Sequence, residues 1–213
     1  MKNLKASLVK LTPDERLYNY EKPLIGLTGG IATGKSAVTK YLREQGLKVI
    51  DADQLVKSIY ETEECRKFIQ KNFPLAFENG AINFPKLREL FFQDLKSKAA
   101  IETFIYERLP EAFKKATQEL KDQNFCIYDV PLLFEKKLDQ KTDLSIVIYT
   151  PRDIQLVRLM KRDQINRESA ERILDAQMDI EEKKNLADFV IHNDGTLEEL
   201  AADVGQLLLQ VLE

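Results

Sequence analysis

The chain is poor in the residues from which proteins most often build metal centres and covalent cross-links. Its 213 residues include one histidine, His192, and two cysteines, Cys65 and Cys126. A single histidine cannot by itself supply a metal site or a Ser-His-Asp triad. Two cysteines, in a chain without a recognisable secretory signal, argue against a disulfide framework and against a zinc site. We therefore expect Cys126, which lies in an apolar run, to be a buried hydrophobic residue, and His192 to end a strand.

Two further absences narrow the functional class. The formal net charge is −3, so the chain lacks the basic excess that is typical of a nucleic-acid-binding surface. No apolar run approaches the roughly 20 residues that a membrane-spanning helix needs, and residues 1–20 are mostly polar and charged. From composition we expect a cytoplasmic protein that binds neither nucleic acid nor membrane. The sequence leaves its oligomeric state open.

The octet GGIATGKS at residues 29–36 fits the phosphate-binding pattern G-x-x-x-x-G-K-S/T. In this pattern the glycines let backbone N–H groups turn inward, the lysine reaches the β- and γ-phosphates, and the serine hydroxyl binds Mg²⁺. An apolar run precedes the octet and a helical pattern follows it, which is the context that a P-loop requires. The residues expected to bind ATP are Gly29, Gly30, Ile31, Ala32, Thr33, Gly34, Lys35, Ser36 and Ala37. The alternative is a glycine-rich turn without a ligand.

Five short, apolar, β-branched segments predict an α/β protein with a parallel sheet between layers of helices. They span residues 24–28, 47–51, 125–129, 144–149 and 189–192. Helical periodicity dominates between them, and we find no strand pattern between 52 and 124. The expected organisation is an N-terminal extension (1–22), a nucleotide-binding core (23–51, 125–150 and 188–213), a helical insertion (52–124) and a charged helical stretch (151–187). The sequence Thr12-Pro13-Asp14-Glu15 predicts a short helix from about Pro13 to Tyr20 in the extension.

Carboxylates follow two of the predicted strands. Asp51 and Asp53 follow the second strand, and Asp129 ends the third. Open parallel sheets bind ligands at the carboxyl ends of their strands, so we expect these groups to face the phosphate site. One carboxylate there can accept a proton from an attacking hydroxyl, and Asp129 can orient Mg²⁺. The alternatives are a helix N-cap at Asp51 or Asp53 and a hydrogen-bonding loop residue at Asp129.

Arginines are concentrated in the charged stretch. Arg158 and Arg162 lie one helical turn apart, and Arg167 and Arg172 follow. Because a planar guanidinium binds two phosphate oxygens at once, arginines on a mobile flap could close on a transferring phosphoryl group. The alternative is a solvated, charged helix face.

Taken together, these segments resemble dephospho-CoA kinases. The resemblance rests on LIGLTGGIATGKS, VIDAD, DVPLLFE (129–135), RLMKRD and ERILDAQ (within 158–177) and ADFVIHNDG (187–195), in the family's order and spacing. It implies a three-layer P-loop NTPase fold related to nucleoside monophosphate kinases, with ATP and Mg²⁺ as cofactors. It also implies transfer of the γ-phosphoryl group of ATP to the ribose 3′-hydroxyl of dephospho-CoA, the last step of coenzyme A synthesis. In that fold residues 52–124 bind the acceptor, and residues 151–187 form a lid.

The same resemblance implies roles for individual residues. Asp53 is similar to the family's catalytic base, and Lys35 and Arg162 are its catalytic partners on the phosphate. The remaining roles are lid contacts from Arg158, Arg162, Arg167 and Gln177, acceptor contacts from Asp53, Leu132, Leu133 and Glu135, and Mg²⁺ binding by Ser36 and Asp129.

The chain also departs from the family pattern. Ala32-Thr33 stand where the family loop often has Gly-Ser, and the amide cradle survives this change if position 32 needs no positive φ. Phe84 stands where arginine is usual, and Tyr106 where histidine is usual. Another small-molecule or nucleotide kinase and a non-catalytic nucleotide-binding module therefore stay as alternatives. A GTPase does not, because the chain lacks the guanine-reading pattern N-K-x-D.

Overall fold

A computed structural model describes residues 2–120 and 122–213 of the chain. These residues form two compact units. The first contains the described residues up to Asp51 and from Glu119 to Glu213, and the second is Ala52–Gln118. The described residues contain no helix with both the length and the apolar character to cross a lipid bilayer.

The described residues form seven strands and nine α-helices. The strands are β1 (Leu24–Gly29), β2 (Val49–Asp51), β3 (Phe77–Glu78), β4 (Ala81–Ile82), β5 (Cys126–Asp129), β6 (Leu144–Tyr149) and β7 (Phe189–His192). The α-helices are α1 (Lys35–Glu44), α2 (Ala52–Tyr60), α3 (Glu63–Asn72), α4 (Phe84–Gln93), α5 (Leu95–Thr117), α6 (Arg152–Asp163), α7 (Arg167–Asp175), α8 (Ile180–Leu186) and α9 (Leu197–Val211).

The first unit is built on a five-stranded parallel sheet with the strand order β2-β5-β1-β6-β7. All five predicted strands are therefore confirmed, and β2 is shorter than predicted. It begins at Val49 because Leu47 is still part of the turn that closes the end of α1. The Leu47 N–H donates to the Leu42 carbonyl at 2.9 Å. Gly46, in the left-handed conformation, makes that helix end possible.

One face of the sheet carries the main hydrophobic core. The buried side chains of α1 and α9 cover β1, β5, β6 and β7 there, with Val38 and Leu42 from α1 and Val204 and Leu207 from α9. A capping box starts α9, since Thr196 and Glu199 cap each other's backbone N–H groups. The rigid position of α9 follows from this cap and from its apolar face.

The opposite face is covered more irregularly. Ile180 of α8 packs there against Val147 and Tyr149 of β6. Leu133, in the loop after β5, is fully buried, and a side chain at Gly26 of β1 would come within 2.9 Å of it. Helices and loops on both faces give the three-layer α/β architecture that the sequence predicts.

The N-terminal extension contradicts the predicted helix over Pro13–Tyr20. Residues 13–16 form a turn, and a single 3-10 turn, Leu17–Asn19, follows. A helix cannot continue through Arg16, whose backbone is extended (φ −71°, ψ 155°). This conformation delivers the Arg16 side chain to Asp143, with 2.7 Å between Nε and Oδ2 in an ion pair that is almost wholly buried. The tertiary ion pair therefore overrides the local helix signal.

The second unit is mostly helical, as predicted, but it also contains a hairpin that the sequence analysis missed. Strands β3 and β4 pair antiparallel across Asn79 and Gly80, both of which have positive φ. Asn-Gly is the strongest short signal for such a two-residue turn. Each strand has only two residues, too few to show an alternating pattern, so the expectation of no strand between 52 and 124 was wrong.

The core of the second unit is aromatic. Phe68 stacks on Phe104 with ring centroids 4.2 Å apart, and the Arg108 guanidinium lies over the Phe104 ring, 3.4 Å from its centroid. Arg108 also pairs with Glu64 of α3. These contacts fasten α3 to the long helix α5.

Candidate active site

The octet GGIATGKS connects β1 directly to α1. Strand β1 ends at Gly29, and the helix begins at Lys35, so the loop runs from the centre of the sheet into a helix N-terminus. Gly34 has a φ of +85°, and a side chain there would lie 2.0 Å from the Asn193 Nδ2. Glycine at this position is therefore required by both conformation and space. The geometry is that of an anion-binding loop with a helix dipole behind it.

Ala32 is strained. Its φ is +61°, in the left-handed region, which costs a residue other than glycine about 1–2 kcal/mol. Position 32 therefore does need a positive φ, and alanine there carries a conformational cost that the family's glycine would not. The loop keeps its shape in spite of its sequence at this position, so other contacts must hold it.

Part of that support comes from the loop that follows β7. The Thr33 carbonyl accepts hydrogen bonds from the Asn193 side chain at 2.6 Å and from the Thr150 hydroxyl at 3.1 Å. Both donors are buried. The outer side of the phosphate loop is therefore fixed to the carboxyl ends of β6 and β7.

Ile31 is held by two glutamines. Gln155 of α6 donates from Nε2 to the Ile31 carbonyl at 2.6 Å, and the Ile31 N–H donates to Oε1 of Gln177 at 3.1 Å. Sequence analysis placed Gln177 in the lid and missed Gln155. The available signal was a polar residue beside Leu156 and Leu159 on the buried face of α6, where Gln155 is 3% exposed.

Asp51 and Asp129 lie at the carboxyl end of the sheet, where Lys35 pairs with Asp129. Asp129 is the register partner of Leu27 in β1 and of Asp51 in β2, and Lys35 forms an ion pair with it. Helix α2 begins at Ala52 without an intervening loop, so β2 does not continue and Asp53 lies in the first turn of that helix. The helix start proposed as an alternative is thus the one observed.

The arginines of the charged stretch (151–187) differ in their surroundings. Arg158 donates to the Asn193 carbonyl at 2.9 Å and so lies against the wall of the phosphate loop. Arg162 is exposed and pairs with its neighbour Asp163, and Arg167 is exposed and pairs with Glu171. The charged stretch is divided into separate helices, because Gln164 ends α6 in the left-handed conformation and α7 begins at Arg167.

Comparisons with known proteins agree with this geometry. The family model described as dephospho-CoA kinase matches residues 23–199. A dephospho-CoA kinase of Fusobacterium nucleatum is 41% identical over 179 residues, covering 83% of this chain and 92% of the relative.

The chain belongs to the dephospho-CoA kinase family.

Two solved structures extend the agreement to the fold. Dephospho-CoA kinase from Campylobacter jejuni superimposes with a TM-score of 0.64 at 27% identity, covering 88% of this chain and 96% of that one. The crystal structure of TT1252 from Thermus thermophilus gives a TM-score of 0.79 at 28% identity, covering 89% and 97%. As a member of this family, the protein is an ATP-dependent kinase that phosphorylates an alcohol group. Residues 1–22 precede the part of the chain that the family model matches.

The segment DVPLLFE (129–135) begins at the last residue of β5. Buried polar contacts hold its interior side. Lys183 of α8 is fully buried, pairs with Oε1 of Glu135 at 2.8 Å and donates to the Pro131 carbonyl at 3.0 Å. The Met178 N–H also donates to the Glu135 carboxylate, at 3.2 Å. The second oxygen, Oε2, is buried and has no hydrogen-bond partner among the described residues. Leu132 is partly exposed, whereas Leu133 supports the loop from the core.

The two departures from the family pattern in the second unit lie among aromatic side chains. Phe84 begins α4 and packs edge-on against Tyr60, with ring centroids 5.2 Å apart. Tyr106 lines a cavity of about 220 Å³ together with Tyr60, Phe91 and Ile101. Aromatic side chains therefore occupy the two positions at which arginine and histidine are usual in the family pattern.

The oxygen donors near the loop suit Mg²⁺ better than a transition metal. The described residues contain no group of three or more His, Cys, Asp or Glu side chains that could hold a metal on their own. Mg²⁺ does not need one, because it is bound through one or two protein oxygens together with substrate phosphates and water. The Ser36 hydroxyl, in the first turn of α1, and the Asp129 carboxylate are such donors.

Proposed function

We propose that the protein transfers the γ-phosphoryl group of Mg²⁺-bound ATP to the 3′-hydroxyl of dephospho-CoA. The observation that carries the proposal is the convergence of the GGIATGKS loop, Lys35 and the register-paired Asp51 and Asp129 at one end of the sheet. Family membership supplies the acceptor. Phosphoryl transfer needs a cradle for the phosphates, a cation to neutralise developing charge and a carboxylate for the hydroxyl proton.

Residues 29–37 would bind the triphosphate. The helix N-terminus and inward N–H groups stabilise the β- and γ-phosphates, and Lys35 would exchange its partner Asp129 for phosphate oxygens. Ser36 and Asp129 would hold Mg²⁺, which neutralises phosphate charge when bound. Arg162 and Arg167 are exposed on the lid helices and would exchange their surface partners Asp163 and Glu171 for the γ-phosphate when the lid closes.

Asp53 would be the general base. It follows by two residues the strand end at which Asp51 aligns with Asp129, and its side chain is exposed. It would orient the ribose hydroxyl and accept its proton as the bond to phosphorus forms. Glu135 would contribute on the acceptor side through Oε2, since a buried carboxylate oxygen without a partner is a strong acceptor for a substrate hydroxyl or amide.

The second unit would bind the rest of the acceptor. We propose that residues 52–124 form the acceptor region and residues 151–187 the lid. The cavity lined by Tyr60, Phe91, Ile101 and Tyr106 supports this, because it offers an apolar surface to a long, weakly polar chain.

ADP release with ATP and Mg²⁺ tests the proposal. Dephospho-CoA should stimulate release strongly, whereas AMP, CMP, adenosine and phosphopantetheine should not, and chelating Mg²⁺ should abolish the stimulation. Stimulation by one of the other acceptors would keep the kinase and reject the acceptor. No stimulation by any acceptor, with ATP still bound, would indicate a nucleotide-binding module.

A further inference from the structure

Both backbone polar groups of Ile31 are held by side chains from the lid region. Gln155 donates to the carbonyl, and Gln177 accepts from the N–H. Gln155 lies in the first turns of α6, and Gln177 lies just after α7, so the two contacts come from the two ends of that helical pair. A single loop residue is therefore bracketed by the start and the end of α6–α7.

Side-chain packing joins the same two elements. Leu156, Leu159, Ala170 and Leu174 form a buried apolar cluster between α6 and α7, and the side chains of Ile31 and Ala32 pack against it. Space is tight on the glutamine side as well, because a side chain at Gly30 would come within 2.5 Å of the Gln155 amide nitrogen. The phosphate loop and the two helices therefore share one packed interface.

The strained residue of the loop, Ala32, directly follows Ile31. Ala32, with its φ of +61°, lies between Ile31, which the two glutamines hold, and Thr33, which Asn193 and Thr150 hold. Of the two peptide groups that flank the left-handed residue, the preceding one is fixed from outside the loop by Gln155, and the following one is fixed within the loop, where the Thr33 N–H donates to the Gly30 carbonyl at 3.3 Å. A strained backbone persists only where its surroundings over-determine it.

We propose that Gln155 and Gln177 are positioning residues that hold the phosphate loop in its left-handed turn at Ala32 and couple it to the lid helices. They compensate for the missing glycine at position 32. The inference rests on the proposed function only in that the loop binds nucleotide phosphates, and it is independent of the acceptor.

The test compares methionine variants, because methionine keeps the length of glutamine and removes its hydrogen bonds. Gln155→Met and Gln177→Met should each weaken binding of a fluorescent ADP by on the order of tenfold, as expected for one lost hydrogen bond to a positioned group. In the kinase assay the KM for ATP should rise more than kcat falls.

A control exists at the other end of the sheet. Gln123 is equally buried and by itself holds Lys48, accepting from its N–H at 2.9 Å and donating to its carbonyl at 3.1 Å, and it also donates to the Phe125 carbonyl at 3.0 Å. Gln123→Met should lower the thermal midpoint as the Gln155 variant does, while the folded protein keeps its affinity for ADP.

Rescue by glycine separates positioning from general stability. Glycine adopts positive φ without strain, so Ala32→Gly should restore at least roughly threefold of the ADP affinity lost in Gln155→Met or Gln177→Met. In Gln123→Met it should add only the stability that it adds to the parent protein, and it should leave the ADP affinity as in the parent protein. If the glutamine variants bind ADP as tightly as the parent protein, or if Ala32→Gly gives no rescue, the positioning role is rejected. If the parent protein itself fails to bind ADP, the proposed function fails instead.

Discussion

Aspartates lie at both ends of the strands of the central sheet, but they have different roles at the amino end and at the carboxyl end. At the amino end, Asp143 precedes β6 and Asp188 precedes β7, and both accept hydrogen bonds from the chain itself. Asp143 accepts from the N–H groups of Lys10, Leu11 and Leu24 and from Arg16, while Asp188 accepts from Ser145 and from Lys10 Nζ. At the carboxyl end, Asp51 and Asp129 lie side by side next to the lysine of a phosphate loop.

The partners of a carboxylate therefore indicate whether it contributes to stability or to function. Asp143 accepts from the Lys10 and Leu11 N–H groups and from the Arg16 side chain, and Asp188 accepts from the Lys10 ammonium group, so both anchor the N-terminal extension. The carboxyl-end pair is held by register in neighbouring strands and by one flexible lysine, which can change partners when phosphate binds. Substitutions at the amino end should therefore change unfolding, and substitutions at the carboxyl end should change turnover.

The largest effect is expected at Asp53. Asp53→Asn keeps the size of the side chain and removes the proton acceptor, so turnover with dephospho-CoA should fall by on the order of 10²–10⁴ while ADP affinity is retained. Steady-state kinetics and ADP binding measure both. Unchanged turnover would remove Asp53 from the base role.

A large effect is also expected at Lys35. Lys35→Ala removes the cation that we expect on the β- and γ-phosphates, so kcat/KM for ATP should fall by about 10²–10³ through both binding and rate. The unfolding midpoint should fall as well, because the change removes the ion-pair partner of the buried Asp129 carboxylate. Normal kinetics in this variant would contradict the assignment of the phosphate cradle.

Asp143→Asn should show the opposite pattern. The change leaves the buried Arg16 guanidinium without its charged partner, and breaking such a pair costs about 3–5 kcal/mol in the free energy of unfolding. Urea denaturation should detect the loss, and the KM for ATP of the folded enzyme should stay as it was. A changed KM with unchanged stability would mean that the amino end takes part in function.

Acid should act on the same anchor. Burial alone would raise the pKa of Asp143, but hydrogen bonds from Arg16 and from the N–H groups of Leu24 and Leu11 outweigh it and place the pKa below its ordinary value. Because the folded-state pKa is lowered, the contribution is complete above the ordinary pKa of about 3.9 and is lost as the pH falls through the lower folded value. Unfolding free energies measured from pH 6 downwards should fall less steeply in Asp143→Asn than in the parent protein. Equal slopes would show that Asp143 does not carry the acid sensitivity.

The smallest effect is expected at Lys10. Its side chain pairs with Asp188 at 2.5 Å between Nζ and Oδ1, but half of that side chain is exposed, so Lys10→Ala should cost no more than about 1 kcal/mol. Its backbone N–H still donates to Asp143 in the variant. A loss as large as that of Asp143→Asn would show that the extension depends on the surface pair and not on the buried one.

The sequence by itself determined the sheet, the phosphate loop and the family. Strands of buried β-branched residues, glycine where φ is positive at Gly34, and the capping box at Thr196 are local signals, and each has a physical cause within a few residues. The tertiary structure alone decided the extended backbone at Arg16, which follows a buried partner 127 residues away. It also decided the conformation of Ala32, because the glutamines that hold Ile31 come from helices more than 120 residues further along the chain. Local propensity could not foresee either outcome, since in both places distant hydrogen bonds outweigh the preference of the residue itself.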